Sequence, residues 1–284
     1  MKNDVKNFWR FVHERMSIYK KRAAGEPKPW TDDPVLRDNF FTNVFRELDP
    51  GTVVAQEIMS AHSPAWVRAW NLLLYRRLNR EETWAKIGFM KKPNHGRVLA
   101  ALRTIEGPIF TGAHQVNMLQ MYPRLGRDPI TRQANMMANT DWIKEWAKEI
   151  SHSATAETAF KVTLGMSIPG VGGFLAWQLV LDLRYGGEPI GLYSDDEWAP
   201  VQAGAKAGLL EVYGVDSMPK DEMQDCLSDM VYDQENEFGQ QDLNFNEVSD
   251  DRLTYAAVEH SLCEYAKYVR IARGGHAKGK FDGR

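Results

Sequence analysis

Residues 167–185 read SIPGVGGFLAWQLVLDLRY. A proline and three glycines stand before a long apolar run, and one aspartate, Asp182, lies near the end of that run. The preceding stretch, TAFKVTLGM, has helical periodicity, so the segment predicts two helices joined by a tight turn, the layout of a helix-hairpin-helix. Gly170 and Gly172 are expected at positive φ, where glycine carries no steric cost. The second helix would then open with free N–H groups, which together with the helix dipole attract a phosphate. Gly170, Gly172 and Gly173 are therefore candidate contacts to a DNA backbone, independent of base sequence. The alternative is a glycine turn that serves packing alone.

Gln178, Asp182 and Tyr185 fall at i, i+4 and i+7, on one helix face. A carboxylate near a helix C-terminus opposes the dipole. A group placed against local preference is a site candidate; the bland alternative pairs Asp182 with Arg184 or another cation. A second polar stripe lies in FFTNVFRELD, where Asn43, Arg46 and Glu47 share a face of an expected helix over VLRDNFFTNVFRELD, ended by Pro50-Gly51. Its alternative is a solvated face with a local Glu–Arg pair.

Outward from these stretches, helical periodicity dominates and no run of period two stands out. Phe8, Phe11, Val12, Arg15, Ile18 and Tyr19 mark one face of a first helix. TVVAQEIMSA, SPAWVRAWNLLLYRRLN, REETWAKIGF and HGRVLAALRTIEG read as further helices, and PIFTGAHQVNM as a turn entering another element. NTDWIKEWAKEISHS, APVQAGAKAGLLEVYG and DRLTYAAVEHSLCEYAKYVRIAR follow. The tail GGHAKGKFDGR is basic and glycine-rich, and mobility is expected there. The expectation is an all-α fold with one domain over residues 1–284, in which 214–252 form an acidic insertion or lid.

The 284 residues include two cysteines, Cys226 and Cys263, which give neither a disulfide framework nor zinc spacing. No apolar run reaches a membrane span, and the charged amphipathic start does not read as a signal peptide, so a cytoplasmic protein without a membrane partner is expected. Residues 216–251 hold twelve acids and one base, −11, whereas the whole chain carries −3, so the remainder carries +8. A basic body with an acidic strip suits a polyanion on one face.

The string FWRFVHERMSIYKKRAAGEPKPWTDDPVLRDNFFTNVFRELD closely resembles the opening of the α-glutamyl/putrescinyl-thymine pyrophosphorylases, the amino acid:DNA transferases of phage. That family is similar to the helical domain of the 5-hydroxymethyluracil DNA kinases. The likeness continues through NLLLYRRLNREETWAKIG, GPIFTGAHQV, GVGGFLAWQLVLDLRY and VEHSLCEYAKYVR. The resemblance implies a DNA-glycosylase-like helical fold with a helix-hairpin-helix, acting in thymine hypermodification. It implies as partner a kinase that places pyrophosphate on 5-hydroxymethyluracil in DNA. An amine, either an amino acid or putrescine, then displaces that pyrophosphate. The chain also departs from its relatives. It lacks G-x(4)-GK-[ST], so it is not expected to be a complete kinase. Gly173 and Phe174 stand where lyase glycosylases carry a lysine. Asp182 is closer to the turn than the glycosylase aspartate. AGAKAGL, with Ala203 and Lys206, replaces a more glycine-rich stretch.

For that chemistry the expected parts are few. Trp30 and Tyr185 are candidates to stack on an unstacked base, with Asp32 beside Trp30. Arg15, Arg22 and Arg46 are candidates to neutralise the departing pyrophosphate, a task that Mg2+ could share. Glu47 or Asp182 would take the amine proton, Asn43 and Gln178 would bind substrate, and Lys206 would add a phosphate contact. Rival expectations are a glycosylase that releases a modified base, and a non-catalytic DNA-binding subunit of such a kinase.

Overall fold

The computed structural model describes residues 2–111, 121–186 and 190–276. Most of PIFTGAHQVNM and the end of the basic tail lie outside the described residues. Among those described there are fourteen α-helices and no strand, as the periodicity predicts.

The chain divides into two compact units, one of residues 1–49 with 195–284, the other of 50–194. In the first unit the helices are α1 (Lys2–Ala23), α2 (Pro34–Asp38), α11 (Ala203–Tyr213), α12 (Lys220–Tyr232), α13 (Gln234–Gly239) and α14 (Tyr255–Ala272). The predicted face of α1 is apolar and inward: Phe8, Phe11, Val12 and Ile18 are buried, and Arg15 with them. Phe8 meets Tyr265, Phe11 meets Phe41 and the neighbouring Trp9 meets Phe238, all edge-on. The helices α11 and α14 approach closely because glycine faces the seam. A Cβ at Gly204 would strike Cys263, and one at Gly208 would strike the Leu262 backbone. In AGAKAGL these glycines thus serve packing inside a helix, while Lys206 projects outward from it. The acidic segment has a buried inner face of its own, formed by Met223, Leu227, Met230, Val231 and Phe238.

In the second unit lie α3 (Pro50–Ser60), α4 (Ala65–Leu78), α5 (Glu81–Ile87), α6 (His95–Arg103), α7 (Pro129–Met136), α8 (Asp141–Ser151), α9 (Ala156–Gly165) and α10 (Gly173–Leu183). Every residue of α4 from Val67 to Leu78 is buried, so α4 is the central element, packed by α3, α8 and α10. A helix buried all round must satisfy its polar groups internally. Trp70 donates to the Met137 carbonyl at 3.1 Å, and Arg68 donates to the Met59 carbonyl at 2.7 Å and the Gly186 carbonyl at 2.6 Å.

The helix expected over VLRDNFFTNVFRELD forms only at its start, as α2, and Arg46–Leu48 make a single 3-10 turn. Between them the backbone groups that would have formed a helical ladder are taken by distant side chains. Arg15 donates to the Phe41 and Thr42 carbonyls, both at 3.0 Å. The Thr42 N–H donates to Glu264 at 3.1 Å, and the Asn43 N–H to Asp49 at 2.8 Å. Charge-assisted partners of this kind are stronger than neutral amide bonds, so tertiary context overrides the local preference.

Candidate functional site

The segment of residues 39–49, irregular apart from its 3-10 turn at Arg46–Leu48, is a hub of polar contacts in the first unit. Asn43 closes it on itself. Its side-chain amide donates to the Leu48 carbonyl at 2.8 Å, and its Oδ1 accepts from Arg22 at 3.4 Å. Asn43 is buried, and its bonds hold the turn that carries Arg46, Glu47 and Asp49.

Arg46 donates to His260 Nδ1 at 3.2 Å. A guanidinium can only donate, so Nδ1 is the accepting nitrogen and Nε2 carries the proton. Nε2–H then points at Thr42 Oγ1, 2.6 Å away. His260 is held neutral, well below the ordinary histidine range, by burial first and then by the charges of Arg46, Lys267 and Arg15. Lys267 is itself paired with Glu264 at 3.1 Å and lies 4.6 Å from the centre of the Phe41 ring. Burial raises the Asp49 carboxyl to about 6, against the opposing pull of Arg46 and of the Asn43 N–H. Burial lowers Arg15 to about 10, and its Nε is enclosed without a hydrogen-bond partner.

His260 makes stability depend on pH. Its folded pKa lies below the unfolded value, so keeping it neutral stabilises the fold above about pH 6.5 and is lost as pH falls. His260 therefore lowers urea midpoints between pH 7 and pH 5, against the gain from protonating Asp49, and His260→Gln should shift the change over that range toward higher stability at pH 5. An unchanged slope in the variant would refute the assignment.

Of the predicted site residues, Arg15, Arg22, Asn43, Arg46 and Glu47 come together here. Thr42, Asp49, His260 and Glu264 join them, and nothing in the sequence alone marks these four out. Asp49 ends FRELD and the α14 pair sits in VEHSLCEY, so the strings that carry the resemblance contained them. Trp30 is tied to its own loop, donating from Nε1 to the Glu26 carbonyl at 2.7 Å, with Lys28 5.2 Å from its ring centre. Asp32 is exposed near it.

Asp182, Gln178 and the glycine turn belong to the second unit. Arg76 grips Asp182 with two bonds, Nε to Oδ2 at 2.5 Å and a terminal nitrogen to Oδ1 at 2.8 Å. Thr52 and Asn79 take further Arg76 donors, each at 3.0 Å. Both side chains of the ion pair are 2% exposed. Gln178 is buried on the same helix, and Tyr185 is half-buried in the 3-10 turn that follows, its ring centre 5.9 Å from Arg184.

In the turn between α9 and α10, Gly170 takes the expected positive φ of 71°. Gly172 does not. It is extended, at φ −94° and ψ −176°, because it is the residue before the first turn of α10. Gly173 opens that helix, and no side chain caps it. Arg77, buried beneath the turn, donates to the Gly170 carbonyl at 2.6 Å, and a Cβ at Gly170 would overlap its guanidinium. Among the described residues no cluster of three His, Cys, Asp or Glu could hold a metal ion, and no helix is long and apolar enough to cross a membrane.

Comparison with known proteins gives two matches. The family described as the helical domain of 5-hmdU DNA kinase matches residues 2–278. A relative, the 5-hmdU DNA kinase of Bacillus phage SP10, is 29% identical over 223 residues, which is 70% of this chain and 34% of that protein. The chain thus spans about a third of the length of the relative it matches. No solved structure matches.

Proposed function

The chain belongs to the family of 5-hmdU DNA kinase helical domains, and from that premise we propose that it modifies phage DNA by amine transfer. In this reading the substrate is 5-pyrophosphoryloxymethyluracil in DNA. The amine nitrogen attacks the exocyclic methylene carbon, a C–N bond forms, the C–O bond breaks, and pyrophosphate departs with the electron pair. The ammonium proton passes to a protein carboxylate.

The observation that carries the reading is the Asp49–Arg46 pair on the 39–49 segment. A carboxyl raised to about 6 is a base suited to neutral pH, and it stands within the field of an arginine. Arg46 is the group to meet the charge of the leaving pyrophosphate, with the neutral His260 fixing its direction. Glu47 is the second carboxylate on the same turn. Both oxygens of Asp182 are taken by Arg76, which leaves it a poor proton acceptor, so the base is assigned to the first unit rather than to Asp182. The turn at Gly170–Gly173 gives the second unit a helix N-terminus suited to a DNA phosphate, in the manner of a helix-hairpin-helix.

The test is nucleoside mass analysis. Purified protein is incubated with DNA carrying 5-pyrophosphoryloxymethyluracil and a mixture of amino acids and polyamines, and the digested nucleosides are weighed. Loss of pyrophosphate with gain of one amine is the expected result. Free base would establish a glycosylase instead. Unchanged DNA that is nonetheless bound would favour a helical DNA-binding part of a kinase, the reading that fits a match to about a third of the phage relative.

A further inference from the structure

The second unit, residues 50–194, carries 16 bases and 11 acids, +5, whereas the first carries 19 bases and 27 acids, −8. Residues 91–127 hold the whole of that excess: Lys91, Lys92, Arg97, Arg103, Arg124 and Arg127 stand against the single acid Glu106, again +5. All six bases are exposed, and none has an ion-pair partner among the described residues. On α8 and α9, by contrast, the lysines are matched. Lys144 pairs with Asp141 at 3.0 Å, Lys148 with Glu145 at 3.3 Å and Lys161 with Glu157 at 2.8 Å, each within its own helix. Like charges left unmatched repel one another, a cost that a polyanionic partner offsets.

Local structure sets the six in place. Lys91 and Lys92 lead into α6, whose start is capped by Asn94, which accepts from the Arg97 N–H at 3.0 Å. Val98 and Leu102 form the buried side of that helix, and Arg97 and Arg103 beside them stay exposed. The helix α6 packs on α7, and α7 on the 3-10 turn Pro123–Leu125. Two side chains of α7 hold the loop that carries Arg124 and Arg127. Arg132 donates to the Gly126 carbonyl at 2.7 Å and the Arg127 carbonyl at 2.9 Å, and Asn135 donates to the Leu125 carbonyl at 2.9 Å. Asp128 caps α7, accepting from the Thr131 N–H at 2.9 Å and the Thr131 hydroxyl at 2.6 Å, so its oxygens serve the fold.

We infer that these six side chains form a track for the phosphate backbone of duplex DNA, in addition to the contact at the glycine turn. The inference rests on the reading above only in taking DNA as the partner. The nine residues of α6 span about 14 Å, the axial length of about four phosphates on one strand. Cations spread over that length suit a polymer of evenly spaced anions rather than one small ion. Lysine and arginine on phosphates hold DNA in position without reading its sequence. The track is tied to the glycine turn within the second unit: Gln133 of α7 accepts from Arg77 at 3.3 Å, and Arg77 donates to the Gly170 carbonyl at 2.6 Å.

The test is the salt dependence of binding. The full chain is titrated with a short fluorescent duplex of unmodified DNA over a range of salt concentrations. Each cation–phosphate contact contributes about −0.9 to the slope of log K against log salt. Lys91→Gln with Lys92→Gln should therefore flatten the slope by about 2, and Arg124→Gln with Arg127→Gln by about 2 as well, with the thermal unfolding midpoint unmoved. Lys144→Gln with Lys161→Gln removes the same net charge from positions already paired with acids, and should leave the slope as it is. Parental slopes in both track variants, or an equal flattening in the paired-lysine control, would overturn the track. Equally tight binding of the parent to phosphatidylserine vesicles would assign the surface to a membrane and overturn it too. If mass analysis finds no transferred amine while the slopes change as expected, the transfer reading fails and the track stands. If transfer is found and the slopes do not change, the track fails and the transfer reading stands.

Discussion

Asp182→Ala is expected to cost about 3–5 kcal/mol, the penalty for leaving one member of a buried ion pair without its partner. Arg76 would keep Thr52 and Asn79 but lose both carboxylate bonds in a place where 2% of the side chain is exposed. Circular dichroism in urea would show this as an early transition. The double variant Asp182→Leu with Arg76→Met tests what the pair is for. Replacing both charges by apolar groups of similar volume is often neutral or stabilising, so the double variant should regain most of the lost stability. It should also retain amine transfer if the pair is structural. A well-folded double variant that no longer transfers would return Asp182 to the catalytic machinery.

Asp49→Asn should do the opposite. On the amine-transfer proposal, transfer should fall by about 10²–10⁴-fold, the usual contribution of a positioned general base. Stability at neutral pH should rise. The Asp49 carboxyl is raised to about 6 in the fold from an ordinary 3.8, so the folded state holds its proton longer than the unfolded chain does. The resulting deficit begins above the unfolded value and is complete above about pH 6, where removing the charge should return about 1–3 kcal/mol. Below pH 4 the variant and the parent should be equally stable. Asparagine keeps the acceptor for the Asn43 N–H, so the turn itself is preserved. Glu47→Gln is the comparison: a larger loss there than in Asp49→Asn would move the base to Glu47. A drop in stability with full transfer in Asp49→Asn would make Asp49 structural.

These two aspartates show how far the sequence could be read. Asp182 was conspicuous because one charge in an apolar helix is visible in the string. Its partner was not, since Arg76 lies 106 positions earlier and is one of several arginines near it. Asp49 is one acid among others in the string, directly before Pro50-Gly51. Its perturbation comes from burial and from Arg46, which depend on how the 39–49 segment is seated.

The sequence by itself determined the all-α class, the apolar face of α1, the helix–turn–helix around Gly170 and the family strings, because each is set by spacing within a few turns of chain. Only the tertiary structure decided that FFTNVFRELD is not a helix, that Gly172 is extended, that Gly204 and Gly208 are a packing seam, and that His260 aims Arg46. The Thr42–His260 contact spans 218 positions and the Thr42–Glu264 contact 222. Local periodicity carries no information about partners at that separation. Their hydrogen bonds form only once burial has removed the water that would otherwise satisfy those groups.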